Sequence, residues 1–186
     1  VHTMEELPTR TTIEFLDLDN VWSEQPLRRP VSAHWAAAAA WTHLGLLGMS
    51  GPDGSGTNGE GLEVLVQANT DCGGFGPNWD PIDLAIHLCN TAGPGPAHVD
   101  VETVAHEYAH AVTHYAMGGL DGGLEARALG EHVADAVATS VNASVDPTPD
   151  WVLFEESGTQ VRNLANPGAQ FHPKLYQGVY WLQAVQ

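Results

Sequence analysis

Three residues of one short motif have the types and the spacing of a catalytic metal site. His106, Glu107 and His110 form the pattern H-E-x-x-H inside a stretch, residues 101–117, that predicts a helix. Residues four apart on a helix lie on one face, so both imidazoles can point at a single ion while Glu107 lies beside them. This pattern is typical of a zinc site in which the glutamate acts as a general base.

A zinc site of this kind needs a third protein ligand. His114 continues the row of histidines, but it stands roughly 12 Å along the helix axis from His106, so we interpret it as a polar residue near the site. Glu125, Glu131 and Asp135 are the carboxylate candidates on the next predicted helix. Glu131 and Asp135 are one turn apart, which lets Glu131 bind the metal while Asp135 accepts the N–H of a ligand histidine. Glu125 falls near the helix start, where the helix dipole stabilises a carboxylate.

The predicted ligands are therefore His106, His110 and Glu131, with Asp135 as the supporting residue. Three side chains leave one position of a tetrahedral zinc ion open, and zinc lowers the pKa of a water molecule there towards about 7. Glu107 is then the general base for hydrolysis.

Other elements are predicted from periodicity and breaker residues. Residues 1–30 resemble a strand and loop region, and Ser32 is the expected N-cap of an Ala-rich helix, buried on every face, that ends near Gly48. A glycine-rich loop follows. The remaining predicted elements are strands at 62–67 and 83–88 and helices at 101–117 and 124–141.

The charge of the chain restricts its partners. Six Lys and Arg residues against 23 Asp and Glu give a formal net charge of −17, which would repel nucleic acid and anionic membrane surfaces. No stretch is apolar enough to be a membrane anchor. Cys72 and Cys89 are compatible with one disulfide in a secreted protein or with two free thiols.

The ordered motifs resemble the thermolysin family of zinc metallopeptidases, the M4 group of gluzincins. They are A-H-W at 33–35, H-E-Y-A-H at 106–110, G-E-H-V-A-D at 130–135, P-D-W at 149–151 and V-R-N-L-A-N-P at 161–167. The resemblance implies an α+β, two-lobe fold. Its mixed α/β N-terminal lobe would comprise residues 1–104, and residues 105–186 would supply the zinc helix and an incomplete helical C-terminal lobe.

The resemblance also implies residues that bind a peptide or protein substrate. The family's edge strand, which pairs with the main chain of a substrate, corresponds to residues 75–79, including Gly76 and Trp79. Arg162 matches an arginine that donates to a substrate carbonyl near the zinc.

One calcium ion is implied behind the zinc helix. The matching positions hold Glu102, Asn142, Asp150 and Glu155, and their oxygens suit a hard cation. The alternative is that these are solvated surface acids.

Two departures from the family pattern bear on function. No aromatic residue stands near Asp121, where the family has a tyrosine that stabilises the oxyanion, and Tyr115 lies too early in the alignment to replace it. The sequence also ends before the family's catalytic-histidine segment, and His172 matches a structural loop instead. We expect either that the natural chain continues or that part of the machinery is missing. The sequence thus predicts a secreted zinc endopeptidase; the alternative is a zinc-binding relative with impaired activity or a regulatory role.

Overall fold

A computed structural model of the chain describes residues 2–6, 12–14, 25–49, 51–53, 63–66, 76–88, 99–118, 123–155, 162–172 and 179. Its elements are, in chain order, β1 (His2–Glu6), β2 (Thr12–Glu14), α1 (Gln25–Leu46), β3 (Glu63–Val66), β4 (Asn78–Asp80), β5 (Ala85–Leu88), α2 (Val101–Met117), α3 (Leu124–Val145), β6 (Val152–Leu153), β7 (Arg162–Asn163) and a short 3-10 helix (Pro167–Gln170).

The larger sheet has five strands in the order β2-β1-β3-β5-β4. The β1–β3 and β3–β5 pairs are parallel, whereas β2 and β4 pair antiparallel at the two edges. The predicted strand at 62–67 matches β3 to within one residue at each end, whereas the strand expected at 83–88 begins at Ala85. Residues 81–84 form a turn instead, because Oδ1 of Asp80 accepts hydrogen bonds from the main-chain N–H groups of Ile82 and Asp83.

Helix α2 has the predicted bounds and clear local reasons for them. At its start, Oδ1 of Asp100 accepts the main-chain N–H of Thr103 at 2.8 Å and thereby caps the first turn. At its end, Gly118 has φ 71°, a left-handed conformation that glycine adopts at little cost. Helix α3 runs four residues beyond its predicted end, to Val145, and then stops at Asp146.

The prediction for α1 was wrong in two respects. The helix begins at Gln25, so Ser32 is an exposed residue within it and not its N-cap. The helix is also buried on one side only, since Trp35, Trp41 and Leu46 are exposed. The prediction failed because the exposed face of the helix also carries apolar side chains, so the sequence shows no clear polar face. The buried stripe of α1 consists of Ala33, Ala36, Ala37, Ala40 and Leu44.

The core lies between the sheet and the helices. Val64, Val66, Ile86 and Leu88 point from β3 and β5 into it, where they meet α1 and buried residues of α2 such as Tyr108. The arrangement is a mixture of helices with a small sheet, which agrees with the predicted α+β class. The division into lobes at residue 104 stays a prediction. None of the helices in the described part of the chain is both long enough and apolar enough to span a bilayer.

Candidate metal centre

The three predicted metal ligands come together where α2 and α3 pack against each other. The Nε2 atoms of His106 and His110 are 3.1 Å apart. Oε2 of Glu131 lies 3.3 Å from Nε2 of His106, and its Oε1 lies 3.4 Å from Nε2 of His110. One carboxylate from α3 thus faces both imidazoles of α2, as the sequence predicted.

These separations fit a single metal ion. Zinc bonds of about 2.0–2.1 Å in a tetrahedron place neighbouring ligand atoms about 3.3 Å apart. The donor set of two imidazoles and one carboxylate also suits zinc chemically. The His106 side chain is 5% exposed, that of His110 22% and that of Glu131 51%, so the cluster is closed on the His106 side and open on the Glu131 side. A water molecule or a substrate group can reach it from there.

A second set of contacts, on the Nδ1 side of the ring, holds His106 in place. Nδ1 of His106 lies 3.0 Å from Oδ1 of Asp135, and the same oxygen accepts a 2.6 Å hydrogen bond from Nη1 of Arg162. Asp135 therefore lies where it can hold the imidazole so that Nε2 points at Glu131, and its role in supporting a metal ligand stays a prediction. The ring of Phe154 packs edge-on against His106 at 5.4 Å and lies 5.1 Å below the Arg162 guanidinium.

The electrostatics of the cluster favour positive charge between the ligands. Burial opposes protonation of His106, but the neighbouring carboxylates of Asp135 and Glu131 outweigh it and raise the pKa of the imidazole to about 9. Burial likewise opposes ionisation of Glu131, yet its hydrogen bonds to His106 and His110 lower the pKa of this carboxyl far below its ordinary value. A bound dication would supply the same positive charge while leaving both histidines neutral.

Glu107 lies beside the cluster and contacts the edge strand of the sheet. Its Oε2 accepts a 2.7 Å hydrogen bond from the main-chain N–H of Trp79 in β4. Burial raises the pKa of the Glu107 carboxyl, although the nearby histidines and the Trp79 N–H act in the opposite direction. The residue expected to be the base is thus buried, oriented and adjacent to the candidate metal ligands.

Of the residues expected to bind substrate, Trp79 lies at the edge of the sheet, whereas Arg162 is engaged by other side chains. Trp79 belongs to β4, which lies at the sheet edge but covers Asn78–Asp80 and not the expected 75–79. Gly76 precedes this strand with φ 75°, and Phe75 lies outside the described residues. Arg162 does lie at the centre, but its guanidinium is engaged by Asp135 and approaches Glu131 at 3.4 Å. Its binding of a substrate carbonyl stays a prediction.

His114 and Tyr115 have a role that the sequence did not indicate. Both rings pack against the Trp79 indole, with centroids 5.9 and 6.1 Å away. The three side chains make an aromatic surface that extends from Trp79, whose main-chain N–H contacts Glu107. Asp121, where the sequence lacks the expected tyrosine, lies outside the described residues, as do Cys72 and Cys89, and the disulfide stays a prediction.

The residues expected to bind calcium are arranged around Glu102. Oε1 of Glu102 accepts a 2.7 Å hydrogen bond from Nδ2 of Asn142, and Oε2 accepts one of 2.8 Å from the main-chain N–H of Phe154. Burial, together with the charges of Asp100, Glu155 and Asp150, raises the pKa of Glu102 to about 7. Within the described residues, Glu102, Asp150 and Glu155 are not grouped at the spacing of metal ligands. Calcium therefore stays a prediction, and its expected ligand Glu102 is held by two amide donors.

Two contacts at the centre could not be found from the sequence. Phe154 follows β6 with φ 64°, and no motif marks its ring as the cover of His106. The hydrogen bond from Trp79 to Glu107 joins residues 28 positions apart through a main-chain donor, which any residue type except proline provides. Neither contact has a side-chain signature in the sequence.

The comparisons with known proteins establish a likeness of fold. No protein-family profile and no curated protein matches the sequence. Among solved structures, the chain resembles a metalloproteinase precursor with a TM-score of 0.57 over 82% of its length. That protein is the precursor of protealysin from Serratia proteamaculans, and the two sequences are 14% identical. The chain spans 48%, about half, of the precursor, so the likeness shows a distant relation in fold.

Proposed function

We propose that this chain is a zinc-dependent hydrolase that cleaves peptide bonds, a thermolysin-like endopeptidase. The observation that carries the proposal is the set of ligand-atom separations, 3.1, 3.3 and 3.4 Å, among His106, His110 and Glu131, with the Glu107 carboxylate beside them. A metal that only stabilised the fold would be bound by a closed set of four ligands and would have no use for an adjacent base.

The zinc ion, Glu107 and the Trp79 N–H would have different roles in hydrolysis. A zinc ion at this point supplies Lewis acidity, polarising a carbonyl group and lowering the pKa of water. Glu107 takes the proton of the attacking water on its carboxylate and delivers it to the leaving amine nitrogen. The Trp79 N–H keeps Oε2 of this carboxylate fixed during both transfers, so that the reacting groups stay in line.

The surroundings of Glu107 support a peptide as the substrate. Strand β4 lies at the edge of the sheet, where its outward main-chain carbonyl groups can accept hydrogen bonds from an extended peptide. The outward N–H of Trp79 already donates to Glu107, and Pro77 and Pro81 have no N–H. The aromatic surface formed by Trp79, His114 and Tyr115 lies beside it and suits an apolar side chain of the substrate. The fold likeness to a metalloproteinase precursor is consistent with this class of substrate. Secretion and a bound calcium ion are parts of the same proposal.

The test is hydrolysis of casein or a fluorogenic peptide by the zinc-loaded chain, with zinc content measured in the same samples. Glu107→Gln should keep zinc and lose turnover by at least about a hundredfold, since it removes the base and preserves shape. Glu125→Gln is the matched control, because Glu125 is an exposed glutamate in the first turn of α3. Chelator should abolish wild-type turnover, and added zinc should restore it.

Three results would contradict the proposal in different ways. Turnover retained by Glu107→Gln, or turnover insensitive to chelator, rules out this mechanism. A wild-type chain that binds zinc without cleaving any peptide supports the alternative, a zinc-binding relative that lacks activity.

A further inference from the structure

A second group of ligand-type side chains lies in the turn between β4 and β5. Asp80, Asp83 and His87 each offer one ligand atom, and these three atoms all lie within 4.8 Å of one another. Apart from the His106 cluster, no other group of histidine, cysteine, aspartate or glutamate in the described part of the chain has this spacing. The sequence pattern, D-x-x-D-x-x-x-H, spans only eight residues.

This group lies on the opposite face of the sheet from the His106 centre. In the antiparallel β4–β5 pair, Asp80 stands opposite Ala85 and Asn78 opposite His87. Side chains alternate between faces along a strand, so Asp80 and His87 share one face, while Trp79 and Ile86 share the other. The Trp79 face is the one that packs against α2 and the core. An ion bound to Asp80 and His87 would therefore be a separate site.

The distance between Asp83 and His87 fits two ligands of one ion as well as a direct ion pair. Nε2 of His87 lies 3.5 Å from Oδ2 of Asp83, which is longer than the roughly 2.7–3.2 Å of an N–H···O hydrogen bond. Two donors bonded to one tetrahedral ion at about 2.1 Å are separated by about 3.4 Å. The His87 side chain is 10% exposed and that of Asp83 47%, so the group combines a buried nitrogen ligand with a solvent-accessible carboxylate.

Asp80 is held in place for such a role. Its Oδ1 is fixed by the main-chain N–H groups of Ile82 and Asp83, at 2.7 and 3.2 Å. Its carboxylate therefore stays near that of Asp83 although both are negatively charged, and a cation between them would offset the repulsion.

We propose that Asp80, Asp83 and His87 form a second divalent-cation site, selective for Zn²⁺ or a similar transition-metal ion, that ties the β4–β5 turn together. The imidazole disfavours Ca²⁺ and Mg²⁺, which prefer oxygen ligands alone. The ion links the end of β4 to the buried middle of β5. It thereby stabilises the strand whose Trp79 N–H meets Glu107.

The test counts zinc in a chain whose first site has been removed. In the double variant His110→Ala/Glu131→Gln, calorimetric titration with Zn²⁺ should show one equivalent per chain, and wild type should show two. Adding Asp83→Asn or His87→Gln to the double variant should weaken this equivalent by at least the roughly 10- to 100-fold that loss of a supporting ligand contact costs. Asp146→Asn added to the double variant is the control, because it makes the same change at an aspartate that belongs to neither group of ligand-type side chains.

Each outcome decides the proposal. A double variant that is folded by circular dichroism and binds no zinc overturns it, because Asp83 and His87 would then form an ion pair only. An equivalent that survives Asp83→Asn and His87→Gln together also overturns it, since the zinc would be bound elsewhere. Adding Asp83→Asn and His87→Gln to the double variant separately as well covers the case in which one of the resulting proteins fails to fold. The count does not depend on turnover, so it can succeed even if the proposed peptidase activity fails.

Discussion

The main-chain N–H of Trp79 donates a 2.7 Å hydrogen bond to Oε2 of Glu107, joining the edge strand of the sheet to the helix that carries the metal ligands. The bond has a chemical consequence, because a donor aimed at a buried carboxylate favours its ionised form. It also has a geometric one, since the same strand edge is the place where an extended peptide can pair. The base and the expected substrate strand are therefore positioned by one contact.

Shortening the Glu107 side chain tests this contact directly. Glu107→Asp keeps a carboxylate but withdraws it by one methylene, out of reach of the Trp79 N–H. Because a misplacement of about 1 Å can cost roughly a hundredfold in rate, we expect kcat to fall by about that factor with zinc content unchanged. Steady-state kinetics with a peptide substrate measures the effect. A normal kcat in this variant would show that the contact does not position the base.

Replacing Asp135 tests the support of His106. Asp135→Asn removes the charge that faces Nδ1 of His106 and one of the two carboxylates that pair with Arg162, the other being that of Glu131. Loss of such a partner typically weakens metal binding about 10- to 100-fold, and we expect zinc affinity to fall in that range. Competition with a chromogenic chelator gives the affinity. Asp146→Asn, at the end of the same helix, is the control and should bind zinc as wild type does.

The raised pKa of Glu102 predicts a pH-dependent stability. Burial raises this pKa from 4.5 to about 7, so the folded chain holds the proton more tightly than the unfolded chain does. Its contribution to stability is therefore present below about pH 4.5 and is lost as the pH rises towards 7. Glu102→Gln resembles the protonated form, so it should raise the melting temperature relative to wild type more at pH 8 than at pH 5. Glu125→Gln, at an exposed glutamate in the first turn of α3 that does not contribute to the Glu102 pKa, should show no such trend.

The same variants test the calcium prediction. A calcium ion needs ionised Glu102, so calcium at pH 8 should raise the melting temperature of wild type if the site exists. Glu102→Gln should remove most of this increase. An equal response of both proteins would count against calcium at Glu102.

The N-cap of α2 supports the helix that carries both histidine ligands. Asp100 accepts hydrogen bonds from the main-chain N–H and the hydroxyl group of Thr103. Asp100→Ala should lower the free energy of unfolding by about 1 kcal/mol, the usual cost of losing such a cap. Urea denaturation measures the change, and Asp100→Asn, which retains an acceptor, should cost less. Equal losses in the two variants would mean that the cap contributes little.

The candidate ligands of the proposed metal centre could be identified from the sequence alone. The i, i+4 spacing of His106 and His110 fixes their relation on any helix, and the same spacing in Glu131 and Asp135 orders two carboxylates on the next one. Helix α2 was predicted with its full length because its cap residues and its periodicity agree. These are local properties, and local rules suffice for them.

Tertiary structure decided which groups meet across the chain. The packing of α2 on α3 brought Glu131 within 3.4 Å of both histidines, and the sheet brought Trp79 to Glu107. The sequence could not show that Glu102 contacts Asn142 and Phe154, or that Asp80 and His87 share a sheet face, because such contacts depend on register and packing between distant segments. It misjudged α1 for a similar reason: the exposed face of this helix also carries the apolar residues Trp35, Trp41 and Leu46, and only the neighbours of a helix decide which face is buried.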